Sequence, residues 1–436
     1  MEENTQQLPN GAYMIGLDIG TTKISVIIGR KNQYGKLEIL GTGRAVSNGV
    51  ARGIVANIDK TVASIIEAVD EAKQKSGVEI NDVFVGIAGQ HIKSLQHRGE
   101  IVRDNIDIEI AKADIAKLKS NMFKLITIPG EEVIHVIPQE YTVDGEDGIQ
   151  DPKGMSGVKL EANFHVITAQ VGAVRNIIRC VEKAGLSPKE LVLEPFASAV
   201  ATLDEDELRE GVALVDIGGG TTDVAIFLDN IIRHTAVIPF GGNVITKDIK
   251  TGLEILEKQA ELLKIKFGSA MYTEDQENVM VSIPGLRGRH PKEIAVKTLS
   301  EIIGSRYKEI IDLVYHEIKV SGYENKLMTG IVMTGGGSQI RNLKQLVAFI
   351  TGRETRIGYP DEHLGAESKD VVVSPMYSTG VGLVLKGFEY MEQHPDQFKT
   401  VEPTGEEGNE KEDVINDPTL IDRLTNFFTE DANKTD

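Results

Sequence analysis

Residues 16–24, Gly-Leu-Asp-Ile-Gly-Thr-Thr-Lys-Ile, recur in expanded form at residues 214–224 as Leu-Val-Asp-Ile-Gly-Gly-Gly-Thr-Thr-Asp-Val. Both stretches have the pattern of an apolar strand, an aspartate, a glycine-rich turn with two threonines, and a second apolar strand. Because the two copies lie about 200 residues apart, the repeat predicts two similar domains that each present one hairpin. A third glycine-rich turn, Thr-Gly-Gly-Gly-Ser, follows an apolar strand and occupies residues 334–338.

Length and charge narrow the class of protein. The chain has 436 residues, which is too long for one ordinary hydrophobic core and predicts two or more domains. Its net charge of -19 argues against a nucleic-acid partner, because phosphates repel carboxylates. The single cysteine, Cys180, cannot form an internal disulfide, which fits a reducing compartment. The sequence shows neither a signal peptide at the start nor a run of 18 apolar residues.

Strands alternate with helices from Ala12 onward, which predicts an α/β layered fold with mixed sheets. Residues 58–74 have the apolar spacing of an amphipathic helix. The pattern of predicted strands and helices changes between about residues 90 and 171, and we interpret that stretch as an inserted α+β subdomain. The predicted division is a first subdomain (12–90, continued at 172–210 and 373–390), the insertion (91–171), a second subdomain (211–245 and 326–372) and a nucleotide-capping subdomain (246–325).

The end of the chain has a different composition. Residues 391–417 are acidic and poor in apolar residues, which predicts a disordered linker. Asp417 and Pro418 are a typical cap and first-turn pair, so a helix is predicted over residues 418–430. One face of this helix is apolar and consists of Leu420, Ile421, Leu424, Phe427 and Phe428. The helix is predicted to bind a membrane surface, with docking on protein as the alternative.

The paired hairpins predict a phosphate site. A glycine-rich turn exposes successive backbone N–H groups, which form a concave anion site, and neighbouring threonine hydroxyls add donors. Each hairpin begins with a carboxylate, Asp18 or Asp216, and such a pair suits Mg²⁺ that bridges phosphates and keeps most of its waters. Lys23 adds a positive charge for a phosphate oxygen. The sequence contains no Gly-x-x-x-x-Gly-Lys-Ser/Thr loop, so a P-loop is excluded.

Five segments resemble motifs of the actin/chaperone/sugar-kinase ATPase superfamily, in the order that this superfamily has them. Residues 16–24 and 214–227 resemble its two phosphate loops, residues 332–340 its adenosine loop, and residues 193–201 and 377–382 its two connecting helices. The resemblance implies an actin-like fold, in which two ribonuclease-H-like domains face a cleft that binds ATP and Mg²⁺. The nucleotide-binding residues that follow are Asp18, Gly20, Thr21, Thr22, Lys23, Asp216, Gly218, Gly219, Gly220, Thr221, Thr222, Gly241, Gly242, Glu261, Lys264, Gly335, Gly336, Gly337 and Ser338.

The same resemblance assigns two further positions. Glu194 stands where the chaperones have a glutamate that helps to position the attacking water, although a helix-start charge is an equal alternative. Ile265 replaces an arginine that stacks on the adenine in those chaperones, so adenine contacts are expected to be looser. With Glu194 as the one plausible acid, hydrolysis is predicted to be slow, below a median enzyme turnover of about 10 per second.

Within the superfamily the chain resembles the FtsA family of bacterial cell-division proteins. Residues 87–92, 136–141 and 154–162 are similar to segments typical of that family, and the linker with its C-terminal helix matches the family's layout. The resemblance implies a self-polymerising protein that tethers FtsZ to the cytoplasmic face of the membrane at the division septum. The implied partners are the FtsZ C-terminal tail, further copies of the chain, the membrane surface and other division proteins.

Two other functions use the same fold. A small-metabolite kinase would need an acidic base and a substrate pocket beside the γ-phosphate, and no base other than Glu194 is evident in the sequence. A chaperone would need a large substrate domain after the ATPase, whereas only about 45 residues follow Tyr390. Co-sedimentation with lipid vesicles and ATP discriminates the tether from the kinase, which would stay in the supernatant.

Overall fold

The computed structural model describes residues 12–104, 108–274, 277–285 and 290–395. The predicted C-terminal helix, and the linker from residue 396, lie outside these residues. The linker prediction began too early, because the last described helix continues to Gln393 and buries Met391.

The first domain begins with an antiparallel meander that carries the first hairpin. Its elements are β1 (Tyr13–Ile19), β2 (Lys23–Lys31), β3 (Leu37–Val46), the short hairpin β4 (Val50–Ala51) and β5 (Ile54–Val55), helix α1 (Ile58–Ser76) and β6 (Asp82–Ile87). Strand β6 runs parallel to β1 on the side away from β2. Helix α1 begins where the Asn57 side chain accepts the Lys60 N–H and ends at Gly77, whose φ of 68° suits glycine.

The insertion folds as a separate layer with its own core. Its elements are β7 (Ile92–Val102), α2 (Lys112–Met122), β8 (Glu131–Val143), β9 (Glu146–Ile149) and β10 (Lys159–Gln170). They form an antiparallel sheet in the order β7-β10-β8-β9. Leu118 and Met122 of α2 are buried in a cluster with Phe164 of β10. A helix–sheet insertion between β6 and the next helix of the first domain is therefore confirmed.

The chain then completes the first domain. Helix α3 (Val171–Lys183) packs on α1, and β11 (Ser187–Leu193) pairs with β6, which gives the sheet order β11-β6-β1-β2-β3. Helices α4 (Glu194–Thr202) and α5 (Glu205–Glu210) follow. From the sequence alone, the acidic run 205–207 is predicted to be a solvated turn. The structure corrects this prediction, because the run forms the first turn of α5 and Glu207 is buried in an ion pair with Arg356.

The second domain repeats the topology of the first. Its elements are β12 (Val212–Ile217), β13 (Thr222–Leu228), β14 (Ile231–Ile238), α6 (Gly242–Gly252), α7 (Glu257–Phe267), β15 (Met280–Ile283), β16 (Lys292–Ala295), α8 (Val296–Val320), β17 (Ile331–Thr334), α9 (Leu343–Thr351) and β18 (Thr355–Ile357). Read in the opposite direction, the sheet order β14-β13-β12-β17-β18 matches the order of the first sheet strand for strand. In this match β12 corresponds to β1, and β13 corresponds to β2. The predicted domain duplication is thus confirmed in three dimensions.

The last described elements return to the first domain. They are α10 (Lys369–Val372) and α11 (Ser378–Gln393), and α11 packs against α4 and β1. Among the described residues, no single helix is long and apolar enough to cross a membrane, whereas the segments 366–372 and 375–393, bent by 93°, satisfy those criteria as a pair.

Strand register corrects one reading of the repeat. Asp18 pairs with Ser25, and Asp216 pairs with Asp223, so both hairpins span seven positions from the aspartate to its cross-strand partner. The second copy is therefore not expanded. Gly218, Gly219 and Gly220 occupy the turn that Gly20, Thr21 and Thr22 occupy in the first copy, and Thr222 already belongs to β13.

Candidate functional site

A cleft of about 450 Å³ lies between the two domains. The two hairpin turns, the turn after β17 and the start of α6 all contribute to its lining. Of the predicted site residues, those that line it are Asp18, Gly20, Thr21, Thr22, Lys23, Asp216, Gly218, Gly219, Gly220, Thr221, Gly242, Glu261, Lys264, Gly335, Gly336 and Gly337. The fold thus gathers into one cavity residues that are up to about 320 positions apart.

The two hairpins touch across the cleft. A Cβ atom on Gly219 would overlap the Thr22 hydroxyl, and one on Gly220 would lie 2.5 Å from Thr21 Oγ1. Glycine is needed at both turn positions because the opposite loop fills the space of a side chain. The Gly53 N–H donates to Thr21 Oγ1 at 3.1 Å, which ties the first turn to the β4–β5 hairpin.

The first carboxylate lies in a compact polar cluster. Ser25 Oγ donates to Asp18 Oδ2 at 3.2 Å, and Lys23 Nζ lies 3.8 Å from the same oxygen. Burial raises the pKa of Asp18, and Lys23 opposes that shift. Burial likewise lowers the pKa of Lys23, whose ammonium also donates to the Met376 carbonyl. A phosphate oxygen placed here would meet a cation that carries little hydration.

The second hairpin supplies two buried carboxylates. Ser198 Oγ donates to Asp216 Oδ2 at 2.8 Å, and burial raises the pKa of Asp216 to about 6. Its cross-strand partner Asp223 accepts from Thr221 Oγ1 at 3.1 Å, while Asp223 Oδ1 is buried without a hydrogen-bond partner among the described residues. Burial, followed by the charge of Asp216, raises the pKa of Asp223 to about 7.

Glu194 opens helix α4 with its side chain in the cleft. Burial raises its pKa well above the usual range, and the charges of Asp18, Asp223 and Asp216 add to the shift. Burial in this cleft thus favours the protonated form of Glu194, and a protonated carboxyl group cannot accept a proton from water.

A second polar cluster lies where α6 and α7 meet. Lys264 Nζ contacts Glu261 Oε2 at 2.8 Å and donates to the Gly242 carbonyl at 3.0 Å and to Thr246 Oγ1 at 2.8 Å. Ile265 is 68% exposed and lines the same side of the cleft. These side chains offer one acceptor, one cation and one apolar surface to a nucleoside-sized group.

The turn after β17 faces this cluster. Gly335 has a φ of 83°, and a Cβ there would overlap Asp216 Oδ1. Gly336 has no positive φ, and the nearest atom to a Cβ there is Met376 Cβ at 3.9 Å. Tyr307, which the sequence did not single out, donates its hydroxyl to the Gly337 carbonyl at 2.7 Å and lines the cleft.

Three predicted residues do not line the cavity. Thr222 is buried and donates to the Phe240 carbonyl at 2.8 Å. Gly241 packs on the Gly218 backbone, and Ser338 donates to the Gly335 carbonyl at 2.8 Å. All three support the loops that do line it. The cavity also includes residues absent from the prediction, among them Arg44, Gly53, Asp223, Asn243, Tyr307, Gln339, Ile340, Pro375, Met376 and Thr379.

The donor set fits a divalent cation that is carried with phosphates. Three carboxylates, Asp18, Asp216 and Asp223, lie buried in the cleft with raised pKa values, and Asp223 Oδ1 has no protein partner among the described residues. Hard oxygen ligands of this kind suit Mg²⁺.

Known proteins resemble the chain at two levels. A family model described as cell division protein FtsA matches residues 213–382, and one described as the SHS2 domain inserted in FtsA matches residues 89–168. Cell division protein FtsA of Pseudomonas aeruginosa is 42% identical over 382 residues, which cover 87% of this chain and 90% of that protein. The FtsA of Escherichia coli K12 is 34% identical over 383 residues, which cover 86% of this chain and 90% of that protein.

Solved structures share the fold at low identity. A chain of a PilM–PilN type IV pilus biogenesis complex has a TM-score of 0.63 at 17% identity and covers 86% of this chain and 98% of its own. MreB5 of Spiroplasma citri, solved with ADP, has a TM-score of 0.51 at 15% identity, and the match covers 89% of this chain and 98% of that one. The fold is therefore that of the actin-like ATPases, with an inserted subdomain.

Proposed function

The chain belongs to the FtsA family of cell-division proteins, and on that basis we propose that it binds ATP with Mg²⁺ in the interdomain cleft. The observation that carries this proposal is the contact between two glycine-rich hairpins, each with a buried aspartate behind its turn. Backbone N–H groups of both turns and Lys23 would hold the phosphates. Asp18, Asp216 and Asp223 would hold the ion through water.

The adenosine would lie between the α7 cluster and the turn after β17. Glu261 and Lys264 would reach the ribose and adenine, and residues 335–337 would approach the nucleotide through their backbone. The bound ion supplies charge neutralisation for the phosphates. Glu194 is the one acid that we assign to positioning water, and its raised pKa favours slow hydrolysis.

We further propose that the chain tethers FtsZ filaments to the cytoplasmic face of the membrane at the septum. The family membership supports a role in division, and the apolar face predicted from the sequence for residues 418–430 supports the membrane contact. A single short amphipathic helix binds lipid weakly, so many copies in a polymer are needed for stable attachment. Binding of the FtsZ C-terminal tail is part of this proposal.

The lipid contact is tested by Phe427→Glu. A carboxylate on the apolar face should release the protein from vesicles with little change in ATP affinity, because partial burial of one phenylalanine contributes on the order of 1–2 kcal/mol and the charge adds a desolvation cost. Co-sedimentation with vesicles that contain anionic lipid measures the bound fraction. Phe398→Glu, the same change in the linker, is the matched control. Equal sedimentation of Phe427→Glu and the parent would place the anchor elsewhere.

We propose that the inserted subdomain makes contacts between copies of the chain. Its loop between α2 and β8 carries two exposed isoleucines, with Ile126 fully exposed and Ile128 62% exposed. Deletion of residues 90–171 should abolish self-assembly, but it would also uncover β14, so a point variant is the cleaner test.

We expect Ile126→Asp to reduce filament formation on lipid by at least about tenfold, because a charge would be buried in an apolar contact. Electron microscopy of filaments at fixed protein concentration measures the effect. Val46→Asp changes a valine of the first domain that is 66% exposed and serves as the control. Filaments of Ile126→Asp as abundant as those of the parent would exclude this loop from the contact.

A further inference from the structure

The inserted subdomain contacts the second domain along β14, the edge strand of the second sheet. Side chains of the insertion donate to backbone carbonyls of that strand. Gln139 Nε2 donates to the Ile232 and Arg233 carbonyls at 2.9 and 3.2 Å, and Gln96 Nε2 donates to the Arg233 carbonyl at 3.0 Å. Ser94 Oγ donates to the Thr235 carbonyl at 2.8 Å. Polar side chains thus satisfy an exposed strand edge that would otherwise be open to pairing.

A buried histidine with both ring nitrogens paired lies at the centre of the contact. His165 is 1% exposed, with Nδ1 lying 3.2 Å from Gln96 Nε2 and Nε2 lying 3.0 Å from Thr235 Oγ1. Burial lowers the pKa of His165 to about 4, so the ring is neutral. Because Gln96 donates to Nδ1, Nε2 carries the proton and donates to Thr235. A hydrogen-bonded network around a buried ring holds two surfaces in one relative position.

An ion pair between β14 and the insertion lies beside this hydrogen-bonded network. Arg233 of β14 is 5% exposed in its side chain, and its guanidinium contacts Glu140 at 3.1 Å and Asp229 at 2.8 Å. Gln139 and Glu140 are neighbours in the segment 136–141, which the nucleotide site does not use. Both therefore face the same strand of the other domain, and truncation of Glu140 would leave a buried cation with one partner fewer.

Strand β14 leads directly into the cleft. After it ends at Ile238, the Gly242 N–H donates to the Gly218 carbonyl at 2.9 Å and the Asn243 N–H donates to the Gly219 carbonyl at 2.8 Å. The segment that leads from β6 into the insertion also reaches the cleft. Its residue Ala88 packs against Gly53, and the Gly53 N–H donates to Thr21 Oγ1. The insertion is thus covalently joined to one half of the cleft and hydrogen-bonded to the other.

We propose that Ser94, Gln96, Gln139 and Glu140 form a latch on β14 through which nucleotide in the cleft fixes the position of the inserted subdomain. This inference rests on the proposed ATP site. Closure of the two hairpins on phosphates sets the position of β14 through Gly242 and Asn243, and the latch transmits that position to the insertion. Linkage requires the reverse effect as well, so a broken latch weakens nucleotide binding.

The test uses the full chain with Cys180→Ala and spin labels at Lys117→Cys in α2 and Asp312→Cys in α8, both of which are exposed positions. The distance between labels is measured with and without Mg²⁺ and a non-hydrolysable ATP analogue, and calorimetry measures the affinity of each variant. Gln139→Leu and the milder Ser94→Ala break the latch. Gln150→Leu, at an exposed glutamine of the same subdomain, is the control for the first.

In the parent and in Gln150→Leu, nucleotide should narrow the distance distribution. In Gln139→Leu the distribution should stay broad with nucleotide bound, and the affinity should fall about fivefold, the lower end of typical coupling. If Gln139→Leu does not fold, a broader distribution in Ser94→Ala carries the same conclusion. A parent-like response in both latch variants, or a parent that binds nucleotide without any response, would overturn the latch and leave the ATP site intact. Absence of nucleotide binding by the parent would overturn both.

Discussion

Gly336→Val is expected to abolish ATP binding while leaving the fold intact. Gly336 lines the cleft without a positive φ, and a Cβ there has Met376 Cβ as its nearest neighbour at 3.9 Å. The valine side chain therefore meets open cleft rather than protein. It would occupy the volume assigned to the nucleotide, so we expect the affinity to fall at least about 100-fold, or about 2.7 kcal/mol.

Calorimetry with Mg²⁺ and ATP measures this loss, and thermal unfolding in the absence of nucleotide verifies the fold. Gly172→Val is the matched control, because Gly172 lies in the first turn of α3, where an added Cβ also meets open space. It should bind ATP as the parent does. An unchanged affinity in Gly336→Val would show that the nucleotide does not pass the turn after β17.

Asp223→Asn is expected to stabilise the nucleotide-free protein and to weaken magnesium-dependent ATP binding. The pKa of Asp223 is raised from 3.8 to about 7, so its ionisation opposes folding. The stability that the neutral form contributes is complete below pH 4 and is lost as the pH rises towards 7. At pH 8 the amide should therefore raise stability by about 1–3 kcal/mol, or roughly 2–6 °C in Tm.

The pH dependence distinguishes this cause from a general packing effect. The gain in Tm should disappear near pH 4, where Asp223 of the parent is protonated, and Asp70→Asn, at an exposed aspartate of α1, should show no gain at either pH. Affinity for ATP in the presence of Mg²⁺ should fall at least about tenfold at pH 8, because a neutral amide replaces a negative charge beside the hydrated ion. A lower Tm for Asp223→Asn at pH 8 would contradict the assigned charge state.

The duplicated fold was predictable because its signal is local. Each hairpin carries its strands, its carboxylate and its turn within about fifteen residues. Apolar spacing likewise predicted a helix over residues 58–74, and α1 ends only two residues later. The predicted alignment of the two hairpins was wrong because it matched Thr221 and Thr222 with Thr21 and Thr22 by residue type. Pairing across the strands, which depends on hydrogen bonds rather than on residue type, aligns Asp223 with Ser25.

The rest of the site depends on contacts between distant segments. Tyr307 reaches Gly337 from a helix 30 positions earlier, and Glu207 is buried because Arg356, 149 positions away, neutralises it. No local pattern contains these pairs. Asp223 was within reach of sequence reasoning, because alternation along β13 places it beside Asp216, but the motif drew attention to the first aspartate only.

The most direct test of the ATP site is a crystal structure of the full chain grown with Mg²⁺ and a non-hydrolysable ATP analogue. We expect the phosphates between the turns at residues 20–22 and 218–220, the metal ion on the side of Asp18 and Asp216 with water in its coordination shell, and the adenine base between Ile265 and Gly336. An analogue bound outside this cleft, or an empty cleft at a saturating concentration of the analogue, would contradict it.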